Sequence, residues 1–413
     1  MNENALHHVN SATVLENTGK TELFLSDAKV QVPVWMNWLQ NVGTNRQVCD
    51  CWKKANSVDC SRFSNQWADE IYFPARIVKK SQINEEMIAQ VRVTNGFYGM
   101  PDLERLSAVW SYIGLACRHR GFGVKQLRYR IDPHDYGFTY HTMEYDGFTR
   151  CWYEYVPQSV RESDHAVPLV LCMHGRGGTA ESFISLSGMS RVAEERNFIV
   201  VFPEAGVSQQ KPDSLRNLLL WEGSYKGKQT DDVGFLLALI EDVKARNIID
   251  PTRIYSCGQS SGGMMTTSLA MKASNVFAAV APWSALTLPE STEALPKSID
   301  PAVPFLFLFG DKDFLCAGTA GGPLQVSEQI YAFLSNLVKI YNLNSEPASY
   351  QVGEITYFVF RNAKGTPMLT VGRVHDMPHA NYPRESWISY DEFLSKFSKA
   401  ADGTLLYMGK PAL

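Results

Sequence analysis

The sequence predicts an α/β protein built on a doubly wound, mostly parallel sheet, preceded by an N-terminal extension of mixed α+β character. Three observations carry the prediction. From about residue 136 onward, short apolar runs alternate with helically periodic segments, the pattern of strand–helix crossovers. Several of those runs are continuously apolar, as strands covered on both faces must be. One of them, residues 253–257, runs into Gly258-Gln259-Ser260-Ser261-Gly262-Gly263 and then into a helical stretch at 264–271.

The elements follow in order. Residues 138–144 and 151–156 read as antiparallel strands joined by a turn at Asp146-Gly147. Residues 168–173 are a continuous apolar run ending in His174-Gly175-Arg176-Gly177-Gly178. Helical periodicity covers 182–197, and 198–202 is the next strand. Residues 232–245 form a helix with Leu236, Leu237, Leu239, Ile240 and Val243 as its apolar stripe. Asp231 and Asp232 at its start suit the positive end of the helix dipole and read as caps. After the serine strand and its helix come strands at 277–281 and 304–309, the latter ending in Gly310-Asp311-Lys312-Asp313. A helix is expected at 325–343, a strand at 356–360 and a closing helix at 385–400. Residues 1–135 differ: strand-like pieces at 21–24 and 30–35 precede helices at 84–93 and 102–118. Leu103, Leu106, Val109, Trp110, Ile113 and Cys117 recur at helical spacing, a face suited to packing on the rest of the chain.

Composition bounds the function. At 413 residues the chain exceeds one ordinary domain, and its 45% hydrophobic and 20% charged residues supply a large core. A formal charge of −4 argues against a nucleic-acid surface, and no apolar stretch reaches the length of a membrane span. Of eight cysteines, Cys172 and Cys257 fall in expected core strands. Cys49, Cys51 and Cys60 form a C-x-C cluster without a nearby histidine, so no metal site is expected, and reduced thiols are the simpler reading. Residues 1–25 show no apolar signal region, which implies a cytoplasmic protein as it stands, or a secreted one if a signal has been removed.

Strand, G-x-S-x-G, helix is the setting in which a serine becomes a nucleophile. Ser260 then needs a base within hydrogen-bond reach, itself oriented by an acid. Downstream of it only His375 and His379 exist. His379 is the assigned base, because His375, nearer the strand and beside Asp376, fits a surface histidine better. The loop after 304–309 offers Asp311 and Asp313. Asp313 lies further past the strand end, where a loop can turn back toward the imidazole, whereas Asp311 suits the turn itself. Two amides should converge on the developing oxyanion: that of Ser261, and that of Arg176 with Gly177 as runner-up. His174 precedes the nucleophile and reads as hydrogen-bonding within its own loop. Trp221, Glu222 and Tyr382 are candidates for contacting substrate. This chemistry needs no metal or organic cofactor.

The segments Leu171–Gly178, Asp231–Phe235, Gly258–Met265 and Met377–Ala380, with Asp146–Pro157 as opening strands, resemble the polyhydroxybutyrate depolymerase and feruloyl esterase family of α/β-hydrolases. The likeness spans roughly residues 137 to 400. It implies a Ser260, Asp313, His379 triad and hydrolysis of carboxylic esters, with short acyl, hydroxycinnamoyl or hydroxyalkanoate groups. Residues 136–413 would then be the catalytic domain, acting on a small or oligomeric ester, with neither nucleic acid nor membrane as partner; a homo-oligomer is compatible with it. The family tends to place tryptophan soon after the catalytic His-Ala, where this chain has Asn381-Tyr382-Pro383, which leaves the acyl group open. A prolyl-oligopeptidase-type peptidase, an acyltransferase and a non-catalytic binding protein are the competing readings. The first usually carries a propeller that 135 residues without blade repeats cannot build.

Overall fold

One ten-stranded sheet organises the body of the molecule in a computed structural model. The described residues are 137–413 apart from 177, 179, 207–219, 226–227, 287–295, 354, 376, 378, 380 and 383–384, together with four short strands nearer the N-terminus. Of these four, Ala12–Glu16 pairs with Gly123–Leu127 and Glu22–Leu25 with Ala75–Val78, both antiparallel. The strand expected at 21–24 coincides with one of them. The elements expected at 30–35, 84–93 and 102–118, and Cys49, Cys51, Cys60 and Cys117, lie outside the described residues.

The sheet strands are β1 (Phe138–Tyr145), β2 (Phe148–Tyr155), β3 (Val167–Met173), β4 (Ile199–Pro203) and β5 (Ile249–Gln259). They continue with β6 (Ala279–Trp283), β7 (Phe305–Gly310), β8 (Ala348–Val352), β9 (Ile355–Arg361) and β10 (Pro367–Val374). Their spatial order is β8-β9-β10-β7-β6-β5-β3-β4-β2-β1. Pairing is parallel from β4 through β10 and antiparallel at both ends. The parallel strands are the apolar runs of the sequence: every residue of β3, β4, β6 and β7 is buried. Cys172 and Cys257 lie opposite each other in β3 and β5, both free and fully buried. At the β1–β2 turn, Asp146 and Gly147 both take positive φ, the backbone that lets a two-residue hairpin match strand twist.

The order of the central strands places a switch point between β3 and β5. The chain leaves β3 toward β4 on one side, then returns past it and leaves β5 toward β6 on the other. Beyond the carboxyl ends of β3 and β5 the two connections diverge and open a crevice, the usual ligand position in an open parallel sheet. The His174–Gly178 loop leaves β3 there, and Ser260 leaves β5.

Helices depart from expectation where tertiary contacts intervene. The single helix expected at 182–197 is two, α1 (Ala180–Ser187) and α2 (Met189–Arg196), broken at Gly188 with φ +67°. A Cβ there would lie 3.1 Å from the Trp387 ring, and Ser386 donates to the Ser187 carbonyl, so the closing segment packs into the break. α3 (Asp232–Arg246) starts as expected, and Asp231 caps it by accepting the Gly234 amide. Asp232 is not a cap. It is wholly buried against Arg150 of β2, whose guanidinium also lies 3.9 Å from the Phe235 ring centre. α4 (Ser261–Lys272) follows the serine, and α5 (Glu328–Ile340) is shorter than the expected 325–343, beginning where Ser327 accepts the Ile330 amide. The closing helix at 385–400 is also shorter. Glu385–Trp387 widens through Ile388–Phe393, tightens at Leu394–Lys396 and ends in strand Phe397–Lys399, which pairs with Leu405–Tyr407. Among the described residues no helix is long and apolar enough to cross a membrane.

Candidate active site

β5 delivers Ser260 into a sharp elbow with φ +57° and ψ −119°, a conformation a side-chain-bearing residue takes only when its surroundings enforce it. The Ser260 amide donates to the Trp283 carbonyl at the end of β6, at 2.9 Å. The surrounding glycines are required by close approach. A Cβ on Gly262 would sit 2.2 Å from the Met173 carbonyl oxygen and 2.6 Å from that of His174, so only glycine lets α4 start this close to β3. The elbow thereby holds the serine hydroxyl out into the crevice.

Two further loops converge on it. The Ser260 hydroxyl lies 2.9 Å from His379 Nε2, and His379 Nδ1 lies 2.9 Å from Asp313 Oδ2. Asp313 is fully buried, and its second oxygen accepts the Leu315 amide at 2.9 Å. A carboxylate on Nδ1 requires the proton there and leaves the Nε2 lone pair facing the hydroxyl, the arrangement of a general base. The buried Cys316 thiol, pushed up by burial and by the neighbouring Asp313 carboxylate, also bonds to that acid. Backbone bonds tie the two loops together: the Lys312 amide donates to Met377 and the Asp311 amide to Val374. His375 pairs separately, with Asp311, at 3.0 Å. Asp311 therefore does more than shape its turn.

The β3 loop lies against the elbow, with a Cβ on Gly175 falling 3.3 Å from that of Ser260. His174 beneath it is buried, and burial lowers its pKa to about 4. Its Nε2 accepts the Ala205 amide at 3.0 Å, which leaves Nδ1 to donate to the Gly175 carbonyl at 2.7 Å. His174 thus bonds within its own loop, as expected, and pins that loop to the end of β4 as well. Arg176 is exposed at the turn closed by the Gly178 amide donating to Gly175, and Ser261 opens α4; Gly177 lies outside the described residues.

Of the three residues offered as substrate contacts, Trp221 and Tyr382 are buried and Glu222 is half-buried. Trp221 is 1% exposed and its indole N–H donates to the His174 carbonyl at 2.8 Å, supporting the loop from below. Glu222 turns to α4, accepting from Ser268 at 3.0 Å and Lys272 at 2.8 Å. Tyr382 is buried, its amide donating to Glu385 at 3.0 Å. Glu385, which also accepts from Asn381, is fully buried, and burial raises its pKa to about 8. The hydrogen bonds of all three go to neighbouring segments of the chain. Sequence reasoning missed two neighbours of the base: Gln259, whose amide nitrogen lies 3.4 Å from His379 Nε2, and Phe314, which is 75% exposed with its ring 5.2 Å from the imidazole. Phe314 directly follows the acid, and an aromatic residue in a polar turn was the available signal.

Residues 152–300 match the family model described as Esterase PHB depolymerase. Poly(3-hydroxyalkanoate) depolymerase C of Paucimonas lemoignei is 25% identical over 51% of this chain and 54% of its own. Feruloyl esterase B of Thermothelomyces thermophilus is 29% identical over 32% of this chain and 43% of its own. The chain therefore spans about half or less of these relatives' length. A solved acetyl xylan esterase from Aspergillus awamori superposes over 62% of this chain and 99% of its own, with 12% identity and a TM-score of 0.45. Residues 152–300 are thus similar to the PHB depolymerase esterase family, and in this chain they carry the parallel strands β3 to β6 and the elbow after β5.

Proposed function

We propose that the protein is a serine carboxylesterase working through an acyl-enzyme. The observation that carries this reading is the unbroken hydrogen-bonded chain from Asp313 through His379 to a serine held at positive φ. In acylation, Ser260 Oγ bonds to the ester carbonyl carbon as His379 Nε2 takes its proton. The carbonyl oxygen becomes an oxyanion facing the Arg176 and Ser261 amides, the latter at the positive end of α4. Collapse breaks the carbon–alkoxide bond, and His379 returns the proton to the departing alcohol. Water then repeats the cycle, so one ester and one water give one acid and one alcohol. Asp313 keeps the imidazole in the useful tautomer and stabilises the imidazolium.

The names of the relatives point to hydroxyalkanoate and feruloyl esters, whose common chemistry is the carboxylic ester. An organophosphate probe tests the reading. One phosphoryl group should appear per chain on the peptide containing Ser260, and none on that peptide in Ser260→Ala. Labelling elsewhere, or full-rate labelling of the variant, would contradict it.

A further inference from the structure

We infer that Phe314 forms the binding surface for the alcohol half of the ester and selects apolar, aromatic alcohols; the inference rests on the acyl-enzyme reading above. Phe314 stands on a turn fixed on both sides. Asp313 before it is bonded to His379, the Leu315 amide donates to Asp313, and the Cys316 and Ala317 amides donate to the Asp313 carbonyl. That turn is held by these four hydrogen bonds, yet it carries a phenyl ring 75% exposed beside an acid that is wholly buried. So exposed a ring contributes little to the core, and its contact is with the base: edge on to the His379 imidazole, 5.2 Å between centres at 62°. Leu315, 40% exposed, continues the apolar surface.

The reaction assigns the two halves of the substrate to opposite sides of Ser260. His379 Nε2 takes the serine proton and must deliver it to the leaving oxygen, so that oxygen comes within about 2.6–3.2 Å of the imidazole. The alcohol's first carbons then lie beside Phe314. The carbonyl oxygen points the other way, toward the β3 loop and the start of α4. An aromatic ring one carbon beyond the leaving oxygen can pack on Phe314 and remove both faces from water, whereas a methyl group cannot reach it.

Matched esters test the assignment on the full chain. Benzyl acetate and methyl acetate form the same acetyl-enzyme and release alcohols of similar acidity. Methyl phenylacetate and methyl acetate vary the acyl side alone. Phe314→Ala is expected to lower the benzyl-to-methyl ratio of kcat/KM roughly five- to tenfold, while the phenylacetate-to-acetate ratio moves less than about twofold. Phe314→Leu, apolar but without a ring, should fall between. An unchanged alcohol ratio, an equal loss on both alcohols, or a shift confined to the acyl series would each overturn the assignment. A wild-type protein whose Ser260 takes up no phosphoryl group from the organophosphate probe would instead remove the acyl-enzyme reading beneath it.

Discussion

Two carboxylates and two histidines alternate on the loops after β7 and β10, and their pairing separates their roles. Asp313 takes His379, which reaches Ser260, while Asp311 takes His375. The pairs differ in burial, since the Asp313 and His379 side chains are 0% and 18% exposed and those of Asp311 and His375 are 13% and 37% exposed. An acid held away from water orients its imidazole more firmly than one shared with solvent. Replacing His379 by Ala should therefore cut kcat/KM on a short ester by about 10³-fold or more, whereas His375→Ala should stay within about tenfold. Steady-state kinetics of both variants checks this, and the reverse order would move the base to His375. At Gly262 the constraint is steric. Gly262→Ala must displace either α4 or the Met173 carbonyl, and a loss of about 3 kcal/mol or more in urea unfolding is expected.

At the scale of elements, the support for the β3 loop is a relay through buried polar groups. Arg150 of β2 holds Asp232 at the start of α3, and Asp232 accepts from the Glu222 amide and the Thr230 hydroxyl. The adjoining Trp221 indole then carries the His174 carbonyl. Asp232→Ala would strand a buried guanidinium, and a loss of about 3–5 kcal/mol in chemical unfolding is expected. None of this relay was legible in the sequence, where Asp231 and Asp232 looked alike, because the partner lies some eighty residues away. The same limit explains the other misreadings. Gly188 breaks a helix whose periodicity runs on, since Trp387 packs there from a distant segment. β10 opens on Pro367 and carries Gly372 and Arg373, and the edge strand β8 is exposed throughout, so neither shows an apolar alternation. By contrast the apolar runs, the elbow and the Asp313 and His379 loops were legible, because continuous burial and glycine-dictated close approach leave local marks. The burial of Trp221 and Tyr382 was not legible, because an aromatic residue near a site does not reveal which way it faces.

For the whole molecule, two fully buried titratable groups should shape stability against pH in opposite directions. His174, with an ordinary value of 6.5 lowered to about 4, stays neutral when folded but gains a proton when unfolded below pH 6.5. Its contribution is present above pH 6.5 and is lost as pH falls toward 4, by about 3 kcal/mol in all. Glu385, raised from 4.5 to about 8, keeps its proton when folded while the unfolded chain loses it, so stability falls as pH rises from 4.5 to 8. Between pH 4.5 and 6.5 the two slopes offset each other. Unfolding free energies measured from pH 4 to 8 should show a broad maximum there. In Glu385→Gln the decline above pH 6.5 should flatten, and an unchanged decline would contradict this account of Glu385.

The central claim concerns Ser260 as the atom that carries the acyl group. Its most direct measurement is the hydrolysis of 4-nitrophenyl acetate by Ser260→Ala, with circular dichroism to show that the fold persists. The expected result is a loss of about 10³-fold or more in kcat/KM with an unaltered spectrum. Turnover close to that of the unmodified protein, in a folded variant, would contradict it.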